Sequence, residues 1–430
     1  MSEIFAWEGM LIPLPSDIDS KLIAERLLRL TNSANFTAFR WKRDGLYAGD
    51  AVGCVQIGKF RINILPKLDT PELQRDKVFL LNILQKAGYL NSYYISDSQV
   101  QADSSDILEA MISEVAREVI RGLNTGIPRR YEQEFEHTNT LKGKIEFTLL
   151  STQLPGTTKI PAKHFPLTNK NKLSSIIKGI VLFLHRSTRS KKNRHQLSYA
   201  LHILSNIENR EITTKQIDNL RLLKSELHWS RTLSVGRLLL SGQSPDPTFS
   251  GDNNAFAMLF PMQHLYEKAL RNILTNALEK TEISINSRRH NKHLLISTDS
   301  QRKVIRLRPD YIFGKAGTPF CIADAKWKRI SELGGTNGIA REDFYQIYVY
   351  LKKYEVSNAF ILAPRASWMS KDWSKTFSDT DSSARVHIIG VDLESIMSRN
   401  YSIRHSSQIA LTNSFLNLYS NDFNYKNMEN

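Results

Sequence analysis

Apolar and polar positions follow two rhythms along this chain, and the switches between them outline its organisation. Near the N-terminus Arg61-Ile62-Asn63-Ile64-Leu65 alternates with period two before Pro66, and Val52–Ile57 is a second strand-like run. Gly58-Lys59 is the turn between them, and Gly45-Leu46-Tyr47-Ala48-Gly49-Asp50 predicts a turn and strand just before. Helical spacing holds in Asp19–Leu30, Val78–Leu84 and Ile107–Leu123, the last stopping near Asn124-Thr125-Gly126. Residues 165–240 are mostly helical in pattern, with apolar faces from Ile176–Leu184, Leu197–Ile207 and Arg231–Leu240. Ser241 to Asn254 then carries two Gly, two Pro and a single apolar residue, Phe249, which predicts a linker with a boundary near residue 250.

Beyond the linker the order of elements is more regular. Met262–Leu278 is a helix with Leu265, Ala269, Ile273 and Ala277 on one face. His293–Ile296 is a short strand, Val304–Phe313 a longer one, Gly314–Pro319 a turn and Phe320–Lys326 a strand. Ile339–Tyr354 is a helix, followed by strands at Asn358–Ala363 and Val386–Val391. The series opens α-β-β-β-α-β and ends on one more strand, a mixed sheet flanked by helices. The fold class expected is therefore mixed α/β (α+β). Its parts are a β-rich module at 1–100, a mainly helical region at 101–255, an α-β-β-β-α-β domain at 256–400, and a C-terminal tail at 401–430 that is Asn/Ser-rich and loosely packed from about Ser406.

Charge changes the picture by naming a partner class. The 430 residues carry a net +15, an excess that suits a polyanion, nucleic acid first and a membrane surface second. Residues 1–100 hold 12 Lys/Arg against 11 Asp/Glu, so the positive charge lies beyond them. It is densest from Asn286 to Ile330, with eleven Lys/Arg and three Asp, and Arg288, Arg289, Lys292, Arg308, Lys328 and Arg329 are candidate DNA contacts. A second cluster, Arg186 to His195, falls in a loop-like stretch and is either a backbone contact or a solvated loop. Cys54 and Cys321 are the only cysteines, which excludes a disulfide scaffold and a multi-Cys zinc site. The longest apolar runs are about five residues, far from the ~20 needed to span a bilayer. The start, Met-Ser-Glu-Ile-Phe-Ala-Trp-Glu, lacks a signal-peptide pattern. The expectation is a cytoplasmic, DNA-facing protein with no membrane contact.

Inside the basic segment, Pro309-Asp310 is expected within one strand and Asp324-Ala325-Lys326 at the end of the next. Strand side chains alternate, so Asp324 and Lys326 share a face, and the Gly314–Pro319 turn can bring Asp310 beside Asp324. Paired carboxylates suit a hard cation such as Mg²⁺, and an adjacent Lys can orient a water and stabilise charge on a phosphoryl group. The short motifs alone are unspecific: Asp19-Ser20-Lys21 also fits D-x-K, and Pro245-Asp246 lies in the linker. Their pairing in strand context carries the signal. Asp310, Asp324 and Ala325 form the candidate metal set, to which Glu267 adds a third carboxylate or is simply an exposed helix residue. Asp310, Asp324, Lys326 and Gln346 form the candidate catalytic set. Gln346 and Tyr350 share a helix face at i and i+4, so Gln346 either bonds the attacking water or a phosphate, or lies on the surface.

Arg308-Pro309-Asp310 with Asp324-Ala325-Lys326-Trp327-Lys328 resembles the PD-(D/E)xK nuclease superfamily, and more narrowly the McrC family, the nuclease subunit of McrBC-type, modification-dependent restriction systems. Met262-Gln263-His264-Leu265-Tyr266-Glu267 is similar to that family's M-x-x-L-F-E helix, with Tyr266 for Phe. Asp343-Phe344-Tyr345-Gln346-Ile347-Tyr348-Val349-Tyr350 is similar to its D-x-Y-Q-x-x-x-Y helix. Val55–Leu68, with its Pro66-Lys67, resembles the N-terminal strand pair, and Leu141-Lys142-Gly143-Lys144-Ile145 stands for L-R-G-R-I with Lys for Arg. Asn169-Lys170-Asn171 departs from the more acidic stretch expected there.

The resemblance implies a Mg²⁺-dependent DNA endonuclease subunit. It would cleave double-stranded, cytosine-modified foreign DNA with a hexameric AAA+ GTPase partner, whose GTP hydrolysis it stimulates. The chain has no G-x-x-x-x-G-K-[S/T] of its own, and the resemblance implies that GTP is used by the partner. The near-neutral N-terminal module is the expected docking part, with Arg40, Trp41, Lys42 and Arg43 as partner-binding candidates in a hairpin tip. The rival readings are a stand-alone repair or resolvase-type nuclease of the same fold, and a non-catalytic regulator that only holds DNA. The intact Asp310, Asp324 and Lys326 argue against the second rival.

Overall fold

The structure, a computed structural model, describes residues 2–14, 24–25, 27, 37–57, 60–90, 107–140, 142–151, 159–241, 256–285, 292–398 and 400–426. Most of the Asp19–Leu30 helix, the Gly58-Lys59 turn, the linker beyond Ser241, and Arg288 and Arg289 lie outside the described residues. The fold is mixed α/β. Contacts divide the chain into two compact units, Met1–Gly53 with Arg61–Tyr93 and Leu259–Asn430, and Cys54–Phe60 with Tyr94–Met258.

The first unit is organised by a six-stranded sheet in the order Ile283–Ile285, Tyr311–Lys315, Thr318–Ala325, Asn358–Pro364, Arg385–Val391, Ser374–Ser378. Tyr311–Lys315 and Thr318–Ala325 form an antiparallel hairpin. Ala316 and Gly317 both take positive φ in its turn, the conformation whose twist matches that of the flanking strands. Thr318–Ala325, Asn358–Pro364 and Arg385–Val391 run parallel. Asn358–Pro364 is central and apolar on both faces, as a covered parallel strand must be. Alternate residues sort onto two faces. Ile312, Ile322, Ile361 and Ile388 pack in one core with Ile347, Tyr350 and Leu351 of the Arg341–Tyr354 helix. From the Met262–Leu278 helix, the Tyr266 hydroxyl donates to the Leu362 carbonyl, and the Glu267 carbonyl accepts from Tyr311. Truncating fully buried Ile361 to Ala would cost about 2–5 kcal/mol.

The sequence pattern and the structure differ in several places. The single long strand expected at Val304–Phe313 is two, Lys303–Arg306 and Tyr311–Lys315, with Pro309-Asp310 in the break between them. Pro309 has no N–H to give a ladder, so the sheet cannot run through it. Ile283–Ile285 and Ser374–Ser378 are edge strands too short and too exposed to show an apolar rhythm. The region 101–255 has the expected helices, Ile107–Asn124, Lys172–Ser187, Lys191–Ile203 and Ser230–Ser241, but also short strands such as Glu134–Thr138 and Ile160–His164. Those strands are polar and form small sheets, which hides their period. Within Arg186–His195, a helix already begins at Lys191, capped by Ser190. The tail expected to be loose is a helix, Tyr401–Lys426, with Leu411 and Thr412 buried.

Met1–Gly53 and Arg61–Tyr93 pack into the same compact unit as Leu259–Asn430. The Trp327 indole donates to Glu8 at 2.9 Å, Asn272 donates to the Lys86 carbonyl at 2.8 Å, and Phe79 packs against Trp327. Strands Ala51–Ile57 and Phe60–Leu65 occur where the alternation predicts them. Phe39–Lys42 and Gly45–Ala48 form a two-stranded hairpin joined by Arg43-Asp44.

Candidate active site

Three parallel strands point their carboxyl ends at one edge of the sheet, where ligands of such sheets commonly bind. Asp324 stands there, second to last in Thr318–Ala325 and only 4% exposed. Asp310 shares the parity of Ile312, which places it on the same face. The break at Pro309 frees its side chain to turn along the hairpin, and its Oδ2 accepts the backbone N–H of Ala325 at 2.8 Å. The Arg271 guanidinium holds the Asp310 carbonyl at 2.5 Å.

Lys326 follows the strand, and its Nζ meets Asp324 Oδ2 at 2.7 Å, Gln346 Oε1 at 2.8 Å and Asp343 Oδ1 at 3.3 Å. Gln346 in turn donates to the Tyr350 hydroxyl at 3.0 Å. The residues expected at the site thus meet in the structure. Two of them take shapes that spacing alone does not show. The Ala325 carbonyl already accepts from Gln263 Nε2 at 2.6 Å, while Gln263 Oε1 takes the Trp327 N–H at 2.7 Å. Glu267 lies 3.5 Å from Arg271 and 3.8 Å from His264.

The electrostatics of this cluster are those of acids crowded away from water. Burial, then the Asp324 charge and the Glu267 charge, push the Asp310 carboxyl up to about 8. Asp324 is also raised, because burial outweighs the favourable Lys326 ammonium. Burial opposes the Lys326 charge, but Asp324 and Asp343 overcome it and the net direction is upward. Glu267 is held low by His264, against its own partial burial. Burial also opposes ionised Asp343, yet Lys328 and Lys326 win and lower it. Such a site favours the arrival of a cation.

Among the described residues no three His, Cys, Asp or Glu side chains form a ready-made metal cluster. Mg²⁺ needs less, since one or two carboxylates with waters and a phosphate oxygen satisfy it. Asp310 and Asp324 fit that requirement by donor type and by their burial, which a bound cation would compensate.

Asp343, Gln263 and Arg271 are the members that chemistry-based reading of the sequence passes over. Their signal is spacing: Gln263, Glu267 and Arg271 repeat every four residues, and Asp343, Gln346 and Tyr350 lie at i, i+3 and i+7. The expected DNA contacts are dispersed. Arg308 is exposed beside Pro309. Lys328 bonds to Asp343, and Arg329 reaches Asp69 at 3.3 Å while staying 64% exposed. Lys292 is away from the dyad, bonded to the Lys353 carbonyl and 3.8 Å from Glu355 at the end of the Arg341–Tyr354 helix. On the N-terminal hairpin Arg40 pairs with Asp50 at 2.6 Å, Lys42 lies over the Tyr47 ring, and Trp41 is 43% exposed. Arg43 is exposed in the turn.

The model of the family described as McrBC 5-methylcytosine restriction system component matches residues 46–363. No curated relative matches the chain. The chain is similar in structure to one in the refined half-complex from a tetradecameric assembly of Thermococcus gammatolerans McrB AAA+ hexamers with bound McrC. That likeness has 15% identity and a TM-score of 0.69, and covers 96% of this chain and 100% of that one. It is also similar to a chain of the Thermococcus gammatolerans McrBC complex, at 17% identity and TM-score 0.50, over 64% of this chain and 88% of that one. Among the described residues no helix is long and apolar enough to cross a membrane.

Proposed function

The chain belongs to the McrBC 5-methylcytosine restriction system component family, and from that footing we propose that it is the DNA-cleaving, McrC-type subunit of such a system. It hydrolyses phosphodiester bonds of cytosine-modified DNA, with Mg²⁺, in partnership with a hexameric AAA+ GTPase. The observation that carries this reading is the convergence of Asp310, Asp324 and Lys326 on one sheet edge. The likeness to a chain from an assembly of McrB hexamers with McrC supports the choice of partner.

Asp310 and Asp324 would hold the Mg²⁺, which when bound neutralises phosphate charge and makes water a better nucleophile. The protein groups do the rest. Lys326 keeps its ammonium within reach of the carboxylates because Asp343 and Gln346 hold it there. From that position it donates to a non-bridging phosphoryl oxygen as charge builds in the transition state. The Gln263 amide clamps the Ala325–Trp327 backbone and so fixes the Asp-x-Lys turn. Arg308, Lys328 and Arg329 add positive charge for the DNA backbone. The Phe39–Ala48 hairpin, stiffened by Arg40–Asp50 and Lys42–Tyr47, presents Trp41 to the GTPase.

The test is reconstitution. Full-length protein, the AAA+ GTPase and GTP should cut cytosine-methylated plasmid in Mg²⁺, and omission of either protein or of GTP should stop it. Equal cutting without GTPase and GTP would instead identify a stand-alone nuclease.

A further inference from the structure

At the carboxyl end of the same sheet is a cavity of about 300 Å³, which Trp327 and Lys328 line but Asp310, Asp324 and Lys326 do not. Pro364 and Val391, the last residues of the two neighbouring parallel strands, line it, and so does Trp327, the residue directly after Lys326. Adjacent strands are about 5 Å apart, so the cavity begins one strand spacing beyond the strand that carries Asp324.

Its walls are of two kinds. Phe79 and Trp327 supply aromatic surface, and the indole is fixed by its bond to Glu8 at 2.9 Å and by the edge contact with Tyr266. Five Lys/Arg and three Asp/Glu supply the remainder of the charge. Arg365 donates to the Met369 carbonyl at 3.0 Å and to Asp392 at 3.2 Å, yet its Nε is buried without a hydrogen-bond partner. Lys67 and Arg329 stand exposed at the rim. A rigid aromatic wall with Lys67 and Arg329 at its rim suits a nucleobase joined to a phosphate. The volume is at the lower limit of ligand pockets, which suits one nucleotide and no larger ligand.

We propose that this cavity seats a single unstacked nucleotide of the DNA strand, beside the phosphate to be cleaved. The base lies against Trp327 and Phe79, and its phosphate meets Lys67 and Arg329. This rests on the nuclease reading above and adds to it a subsite that holds the strand in register. Because stacking on an aromatic ring is tolerant of base identity, the subsite positions the strand and does not read its sequence.

The test uses full-length protein in Ca²⁺ with a set of duplexes, each bearing one abasic position at or near the cleavage site. Wild-type protein should lose about tenfold in affinity when one particular flanking base is missing, in the range of a lost stacking contact. The Trp327→Leu variant should bind all duplexes alike. A Lys67→Gln/Arg329→Gln variant, which removes only exposed groups, should weaken binding to every duplex and lower the salt slope by about two. Absence of any such position in wild-type protein would overturn the proposal, as would unchanged salt dependence in the double variant. If GTP or dCMP binds stoichiometrically by calorimetry and is lost in the double variant while DNA affinity holds, the cavity serves a free nucleotide, and the strand assignment fails. Failure of the nuclease reading is recognised separately, by undiminished Mg²⁺-dependent cutting in Asp310→Asn.

Discussion

Asp310 and Ala325 are fifteen positions apart in sequence and joined by one hydrogen bond, from the Ala325 amide to Asp310 Oδ2 at 2.8 Å. That bond ties the residue after the Pro309 break to the end of the next strand, one step from Asp324. Two acids from different strands are thereby fixed at one edge, which is what a shared cation requires. It also fixes Asp310 on one side only, leaving Oδ1 available.

Replacement of Asp310 by Asn should lower Mg²⁺-dependent cleavage by about a hundredfold to a thousandfold or more, the range for losing a preorganised charge at a reacting centre. DNA affinity in Ca²⁺ should be retained, and the thermal midpoint should be no lower than that of wild type. Rate measurements under single-turnover conditions, beside melting curves, check both.

The metal-free protein should become less stable as pH rises. Unfolded, a carboxyl such as that of Asp310 ionises near pH ~4, whereas folded Asp310 is pushed up to about 8. Between those values the native state keeps a proton that the unfolded chain has released. The stabilisation is therefore full below about pH 4 and is lost as pH climbs towards about 8. Melting midpoints in EDTA should fall over that window and flatten in Asp310→Asn. Added Mg²⁺ should raise the midpoint more at the alkaline end, because it binds the ionised pair.

Lys326→Ala should abolish cleavage while Mg²⁺ still binds, since the ammonium positions and stabilises but is no ligand. The metal-free variant should also melt lower, because Asp324 loses the partner at 2.7 Å that offsets its burial. Mg²⁺ should recover that midpoint without recovering activity. Calorimetry that shows binding lost together with activity would contradict the role given to Lys326.

Gln263→Ala removes both bonds that pin the Ala325–Trp327 turn. A loss of about 10–100-fold in cleavage is expected, as for groups that orient a metal site from behind. A drop in rate with unchanged DNA affinity distinguishes this from a role in binding.

Basic residues should separate by position. Arg308→Gln and Lys328→Gln should each lower the salt slope of DNA binding by about one. Lys292→Gln should leave the slope unchanged and lower the melting midpoint instead, because its amine is bonded to the end of the Arg341–Tyr354 helix. An unchanged slope in Arg308→Gln would move that residue to a solvated face.

Much of this site could be read from spacing alone, for a physical reason. Strand alternation fixed Asp324 and Lys326 on one face, and the structure places their charges in contact. Helical periodicity likewise gave the Gln346–Tyr350 pair, now seen hydrogen-bonded. What eluded the pattern depends on long-range contact. The break at Pro309 is the exception, a local rule of proline's missing N–H that the apolar run around it masked in the sequence. Strands such as Glu134–Thr138 exist through pairing with Ile160–His164 rather than through their own composition. The union of the N-terminal segment with the sheet domain depends on bonds such as Trp327 to Glu8, which no periodicity encodes.

The most direct measurement is plasmid cleavage by full-length protein with its GTPase and GTP in Mg²⁺, run in parallel for wild type and Asp324→Asn. The account predicts that wild-type protein linearises methylated plasmid. The variant should leave it supercoiled while stimulating GTP hydrolysis to the wild-type extent. Cutting by Asp324→Asn at the wild-type rate would contradict it.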